Sequence, residues 1–516
     1  MADEAGRGGV ELQDQDAGPG AIGETFGQVL QRHAWARPLA PALIYPGEVV
    51  AWQALNADVE RKAEVLVGEG VVENDTVVIA LPNSPEHHAW SFAAWTLGAM
   101  PCILPEKLPP RDFAQLIELA GPRVLVASAA APSPLVRRIA PDAAPAAPGS
   151  IDLPRGKAAR HWKAVSSGGS TGRPKLIVDH GEARFDGYIK GLIETLGLPS
   201  NGVVLNPGPL YHNGPFVVAG LALLAGNSVV GMVRFDAEAC LQLIAEHRVQ
   251  WVCLVPTMMH RIWKLPAETR ARYDLSSLER VWHMAASCPA WLKRAWIDWL
   301  GPQRIFELYG GTECPGTIIT GQEWLEKPGS VGKAEPGEIS IHREDGSPCA
   351  PGEVGEIFLP PSALDRFHYL GAAPRQSAAA RFSLGDLGHI DEDGYLFLAD
   401  RRTDLILRGG ANIYPAEIEG VLKEHPAVVE AIVLGLPHEE YGQRVHAVLE
   451  LAPDTAPSIE EIDRFVRARL ASYKRPETYE LVQTRLRDDA GKARRSLMRD
   501  ERVSWLDQGR PFQIRA

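Results

Sequence analysis

Two stretches of the chain repeat one pattern: a helix-like segment, a short turn, then a short apolar run. Ser84 to Gly98 leads into Ala99-Met-Pro-Cys-Ile-Leu104, and Ala237 to His247 leads into Val249-Gln-Trp-Val-Cys-Leu-Val255. Strands that alternate with helices of this length pair in parallel, since the crossover helix carries the chain back to the same end of the sheet. Parallel sheets need helices over their faces, so the expected fold class is α/β. The adjacent His87 and His88 fall inside the first of these helices with no third metal ligand near them, and read as helix residues. The longest apolar stretch, Phe216 to Val233, is broken by Gly220, Gly226, Asn227, Ser228 and Gly231. It reads as a buried helix, a turn and a strand rather than a bilayer span.

The texture changes along the chain. Ser128 to Pro154, rich in Ala and Pro, reads as a surface connection. From Gly329 to Pro361, short alternating runs (Glu338 to His342, Gly355 to Leu359) stand between Pro-Gly and Asp-Gly turns, which predicts a small β-subdomain. After Asp404 the pattern gives a helix at Ala416–His425, strands at Ala427–Leu436 and Arg444–Leu451, and a helix at Ser458–Ser472. That is a small α+β domain joined to the rest near residue 400. A length of 516 residues, at about 150 per domain, fits a large body with such an appendage. Residues 1–24, acidic and Gly-rich at the start, read as a mobile leader and lack the features of a signal peptide.

Lys plus Arg number 53 against 65 Asp plus Glu, a formal charge of −12. Nucleic acids and anionic membranes both require a positive face, so neither is an expected partner, although a local basic pocket is still allowed. The six cysteines form no C-x-x-C pair, which predicts reduced thiols and a cytoplasmic protein.

The richest segment is Val165-Ser-Ser-Gly-Gly-Ser-Thr-Gly-Arg-Pro-Lys175. Gly168, Gly169 and Gly172 let the backbone approach a ligand, Ser167, Ser170 and Thr171 add hydroxyls, and Lys175 adds charge; together these suit a phosphate chain. It matches neither G-x-x-x-x-G-K-[ST] nor G-x-G-x-x-G. In Phe306-Glu-Leu-Tyr-Gly-Gly-Thr-Glu313, Tyr309 can stack on a base, Thr312 bond a phosphate oxygen and Glu313 hold Mg²⁺, though Tyr-Gly-Gly is also ordinary turn material. In Leu384-Gly-Asp-Leu-Gly388, Asp386 can accept from ribose hydroxyls or simply close a turn.

The order of these motifs, with Asp391-Glu-Asp-Gly-Tyr-Leu-Phe-Leu398, Arg408-Gly-Gly-Ala-Asn-Ile-Tyr-Pro-Ala-Glu-Ile-Glu419 and Gly491-Lys492, resembles the adenylate-forming superfamily. That superfamily holds acyl-CoA synthetases, peptide synthetase adenylation domains and luciferases. The resemblance implies a two-step ligase using ATP, Mg²⁺ and CoA. A carboxylate attacks the α-phosphorus of ATP to give an acyl-adenylate, and a thiol then displaces AMP.

By carry-over, Ser167, Ser170, Thr171, Gly172 and Lys175 cradle the phosphates, with Thr171 counted among the catalytic groups. Tyr309 and Gly310 border adenine, Thr312 touches the α-phosphate, Glu313 binds Mg²⁺, and Asp386 and Arg401 hold the ribose. Lys492 is the implied catalytic residue of adenylation and His212 the gate beside the acyl-phosphate. The resemblance further implies a large domain at 25–400, a hinge at 401–404 and a mobile small domain at 405–516 that swings between steps. Gly409, Gly410 and Tyr414 would border the pantetheine channel.

The chain departs from the family at Thr403 in the hinge, at Gly168, at Leu486, and at Met284-Ala-Ala-Ser-Cys-Pro289, where the family has Gly-Gly-Ala-Pro. Tyr211-His-Asn-Gly-Pro-Phe216 carries no carboxylate to anchor a substrate ammonium, so a non-amino acid is expected. The wording of these motifs is similar to bile-acid CoA ligases and their relatives. That implies a bulky polycyclic acid, steroidal or diterpenoid, the latter as in platensimycin-type biosynthesis. Two other readings stay open: delivery to a carrier protein or partner instead of CoA, and a non-catalytic nucleotide-binding protein.

Overall fold

The computed structural model describes residues 23–128, 136–149, 151–154, 156–167, 174–377, 379–488, 491–510 and 512–514. The expected leader therefore falls almost wholly outside the described residues. Glu24 and Thr25 pair with Phe185 and Arg184 in a two-stranded ribbon.

The architecture is α/β, with two large sheets in the N-terminal body. One has eight strands in the order Pro315–Thr320, Ile305–Gly310, Arg280–His283, Trp251–Leu254, Val203–Asn206, Ser228–Gly231, Pro41–Tyr45, Glu48–Ala51. The other has seven: Phe367–Leu370, Lys175–Asp179, Ala164–Ser167, Met100–Ile103, Thr76–Ala80, Val124–Ala127, Arg137–Ile139. Their central pairings are parallel, while Pro315–Thr320 and Phe367–Leu370 each close one edge antiparallel. The Ala/Pro-rich connection is a partial surprise. Its Arg137–Ile139 adds an edge strand beside Val124–Val126, a pairing set by the neighbouring strand and not by any local periodicity.

The helices Pro85–Thr96 and Asn213–Leu224 pack on the seven- and eight-stranded sheets respectively and meet each other, Trp95 lying 5.7 Å from Phe216 between ring centroids. Both are buried on nearly every side, which is why Phe216 to Val233 reads as one apolar run. Ser84 caps the first helix on the His87 N–H, and Gly226, at φ +79°, turns the second into Ser228–Gly231. His87 and His88 sit in this core. Burial pushes their imidazoles down to about 3 and about 4, and His88 Nε2 meets Tyr45 Oη at 2.9 Å. No helix among the described residues is long and apolar enough to cross a membrane.

A five-stranded antiparallel sheet follows, in the order Ser330–Lys333, Tyr395–Arg401, Asp386–Ile390, Gly355–Phe358, Ser340–His342. The small C-terminal domain pairs Val428–His438 with Gly442–Leu451, packs the helices Pro415–Glu424 and Ile459–Arg467 against them, and has its own apolar core. It is docked on the large domain. Trp291 Nε1 donates to Gly420 O at 3.3 Å, Lys264 Nζ to His425 O at 3.2 Å, and His260 Nδ1 meets Val429 O at 2.9 Å.

Candidate active site

Residues from both domains converge on one cleft. Lys175 opens its strand, and its Nζ lies 3.7 Å from the ring centroid of Tyr369 and 3.9 Å from Glu313 Oε1. Tyr369 Oη donates to that same Oε1 at 2.6 Å. Both groups thus sit on one carboxylate oxygen. A carboxylate is the hard oxygen donor that Mg²⁺ takes, so the donor chemistry fits that ion.

Glu313 is delivered by a tight turn, in which Gly311 N–H donates to Cys314 O at 2.9 Å. Gly310 before it, at φ +156°, leaves no space for a side chain: a Cβ would lie 2.8 Å from Cys314 O, Gly316 N and Pro315 Cα. Thr312 occupies the same turn, half-buried. Tyr309, 8% exposed, donates to Asp386 Oδ2 at 3.0 Å, and Arg401 Nε approaches Asp386 Oδ1 at 3.5 Å across a direct strand pairing. Burial raises the Asp386 carboxyl, and Arg401 opposes that shift.

From the small domain comes Lys492. Its ammonium pKa is lowered, first by desolvation within the cleft and then by Arg401, while Asp488 and Glu313 hold it up. The residue as a whole is exposed, so it is only the ammonium end that the cleft desolvates. Lys175 shows the same balance, with burial and Arg401 lowering it against Glu313. His212 precedes the helix Asn213–Leu224 and lies against Tyr211, with Nε2 3.7 Å from Asp488 Oδ2; burial lowers its imidazole.

The structure therefore brings together Lys175, Tyr309, Glu313, Asp386, Arg401, Lys492 and His212. Ser170, Thr171 and Gly172 lie outside the described residues, as does the side chain of Ser167. Gly409 and Gly410, at φ +54° and +83°, form the two-residue turn between Ile406–Arg408 and Ala411–Ile413, a geometry that demands glycine. Tyr414 precedes the helix Pro415–Glu424. Among the described residues none of these three is joined to the cleft group by a hydrogen bond or ion pair.

Residues 401–404, the expected hinge, are bracketed by ties. Arg401 holds Asp386, and Arg402 Nη1 donates to Glu356 Oε2 at 2.9 Å. On the other side Asp404 pairs with Arg495 at 3.1 Å, and Arg495 also binds Glu419 of the small domain. Thr403 stands between the two sets.

Three further features lie beyond what the motifs announce. Tyr369, already described, secures Glu313 and stacks on Lys175 from a strand 56 residues further on. Ala285 takes φ +73° in the Met284–Pro289 loop, a left-handed conformation that costs a non-glycine residue about 1 kcal/mol. Met284 Sδ from that loop lies 3.5 Å from where a Cβ on Gly214 would sit, so the loop packs beside the His212 turn. Below it lies a buried ionic group. Glu307 is hydrogen-bonded to Lys293, and His283, its partner in strand register, places Nε2 3.8 Å away.

Comparison with known proteins identifies the family. The AMP-binding enzyme family matches residues 30–360, and its C-terminal domain matches residues 417–492. A fatty acid–[acyl-carrier-protein] ligase of Streptomyces coeruleorubidus is 28% identical over 94% of this chain and 98% of its own. The indoleacetate–CoA ligase of Aromatoleum aromaticum is 30% identical over 93% and 99%. The structure of o-succinylbenzoate CoA synthetase from Bacillus subtilis, in complex with its acyl-adenylate intermediate, superposes with a TM-score of 0.75 at 28% identity, covering 92% and 98%. The chain belongs to the AMP-binding enzyme family. It is an acid–thiol ligase of the AMP-forming class, served by ATP and Mg²⁺ as CoA serves the ligases of that class.

Proposed function

We propose that this ligase activates a bulky, non-amino carboxylic acid, polycyclic in character, as its acyl-adenylate and passes it to CoA. The observation that carries the reading is the approach of Lys492 from the small domain to Glu313 and Arg401 of the large one, with Lys175 on the same Glu313 at 3.9 Å. Adenylation brings two anions together, and fixed cations in a desolvated cleft stabilise the charge that develops as they react. Lys175 holds the outer phosphates, Tyr309 packs on adenine, and Asp386 with Arg401 binds the ribose. Thr312 bonds the α-phosphate, and Lys492 spans the acyl carboxylate and the α-phosphate oxygens. Mg²⁺ on Glu313 would neutralise phosphate charge. His212 closes the acyl side, and Met284 shapes the pocket wall beside it. A carboxylate does approach the gate, Asp488, with one oxygen bonded to the turn that carries Lys492 and the other facing His212. The six cysteines are free thiols, which supports a reducing compartment.

Pyrophosphate release measured on a panel of polycyclic, aryl, long-chain and amino acids, with and without CoA, tests this. Polycyclic acids should give the fastest release and, with CoA, a thioester. Preference for amino acids would overturn the substrate class. A second reading, transfer to a carrier protein, is favoured by the carrier-protein ligase among the relatives; release without any CoA thioester would support it.

Asp386→Ala should raise the KM for ATP by about 10- to 100-fold, the scale of hydrogen bonds to one charged group, since it removes the partner of both Tyr309 and Arg401. The KM for the acid should move little. A shift confined to the acid would remove Asp386 from the nucleotide site.

A further inference from the structure

One carboxylate touches both halves of the cleft. Asp488 Oδ1 accepts the Lys492 N–H at 2.8 Å, Asp488 N–H donates to Lys492 O at 2.9 Å, and Gly491 N–H donates to Asp488 O at 2.9 Å. These bonds fold the turn that presents Lys492. Arg487 fastens the turn to the small domain, its Nη1 donating to Gly491 O at 3.1 Å and its Nη2 to Glu419 Oε2 at 3.0 Å. Gly491, at φ +74°, presses the turn on the large domain, where a Cβ would lie 2.8 Å from Thr257 Oγ1. The remaining oxygen of Asp488, Oδ2, faces His212 Nε2 at 3.7 Å. That nitrogen is buried and has no protein hydrogen bond among the described residues.

Resting on the roles proposed above for Lys492 and His212, we propose that Asp488 is a positioning residue that couples the gate to the small domain. While the Lys492 turn is in the cleft, Asp488 fixes the turn with one oxygen and sets the other, with its charge, beside the buried Nε2 edge of His212. When the turn withdraws, the carboxylate leaves with it and the ring is released. The gate is then set for the acyl-adenylate step only when the lysine is present.

The test is a double-mutant cycle. Asp488→Asn keeps an acceptor oxygen for the turn but removes the charge facing His212. Single-turnover acyl-adenylate formation and thioester formation from supplied acyl-adenylate are measured for Asp488→Asn, His212→Ala and the pair. Asp488→Asn should slow adenylation about five- to tenfold and leave the second half-reaction unchanged. In the His212→Ala background the same substitution should change adenylation less than twofold. An equal loss in both backgrounds would make Asp488 a turn-former alone, and no loss in either would remove it from the reaction; both overturn the coupling. Lys492→Ala, run alongside, separates the two levels: if it leaves adenylation intact, the reading of the site fails and not merely the coupling.

Discussion

Lys492→Ala is expected to slow acyl-adenylate formation by roughly 10²–10³-fold or more, the scale of losing one preorganised charge contact. The lysine is held by its backbone to Asp488 and reaches a region already occupied by Arg401 and Glu313. Removing it leaves the carboxylate–phosphate encounter without the cation that comes from the small domain. The large-domain cations, Lys175 and Arg401, keep their own partners, so nucleotide binding should weaken far less than the rate. Thioester formation from supplied acyl-adenylate should be near normal, because the bond between the carboxylate and the α-phosphorus, the step the lysine is proposed to serve, has already formed. Rapid-quench measurement of each half-reaction decides it. Equal losses in both would refute this division of labour.

The largest effect on stability is expected from Lys293→Met. Glu307, Lys293 and His283 are buried, at 7%, 1% and 0% exposure, so the lysine is the cation that keeps a carboxylate charged inside the sheet–helix interface. Removing one partner of a buried pair costs about 3–5 kcal/mol, because the other is left desolvated and uncompensated. His283 offers little relief, since burial, with Lys293 adding to it, holds its imidazole well below the usual range and it stays neutral. Burial already raises the Glu307 carboxyl, and Lys293 is what opposes the shift. Without the lysine the folded-state pKa climbs further above the unfolded value. A group raised in this way favours the fold below its unfolded pKa, and that contribution is lost as pH rises through the folded one. Urea denaturation should therefore show a larger deficit at pH 8 than at pH 5, and adding Glu307→Gln should recover most of it. A deficit equal at both values, unrelieved by the second substitution, would mean that packing and not charge is at stake. The KM for ATP should rise as well, since Glu307 lies two residues before Tyr309 on one strand.

The fold was legible where local chemistry and tertiary demand agree. Ser84 and Asp236 cap helices at the positions where the repeat pattern starts them, and the Phe216–Val233 run breaks at Gly226 as its composition implies. The motif residues Lys175, Tyr309, Glu313, Asp386 and Lys492 are recognisable one segment at a time, and folding brings them together. What was not legible is every contact between distant segments with no motif of its own. Tyr369 on Glu313, Asp488 on His212, and Lys293 with His283 on Glu307 exist only because particular strands and turns face one another. The edge strand at Arg137–Ile139 is invisible for the same reason. Conversely, Gly409 and Gly410 carry a signal that their hairpin turn alone accounts for, so glycine there does not by itself point to a channel.

The ties around Thr403 bear on timing. With Arg401 and Arg402 fastened to the large domain and Asp404 to the small one, the swing that the family resemblance implies would pivot at Thr403 and would break the bond from Asp404 N–H to Arg401 O, 3.0 Å. The seam that such a swing would open is held by Trp291 on Gly420, Lys264 on His425, His260 on Val429 and the Ala416 N–H on Asp400, beside the approach of Asp488 to His212. Each hydrogen bond is of modest net worth, so an exchange on the microsecond-to-millisecond scale of domain motion is the expected outcome, and substitutions along that seam should change its rate before they change the chemistry.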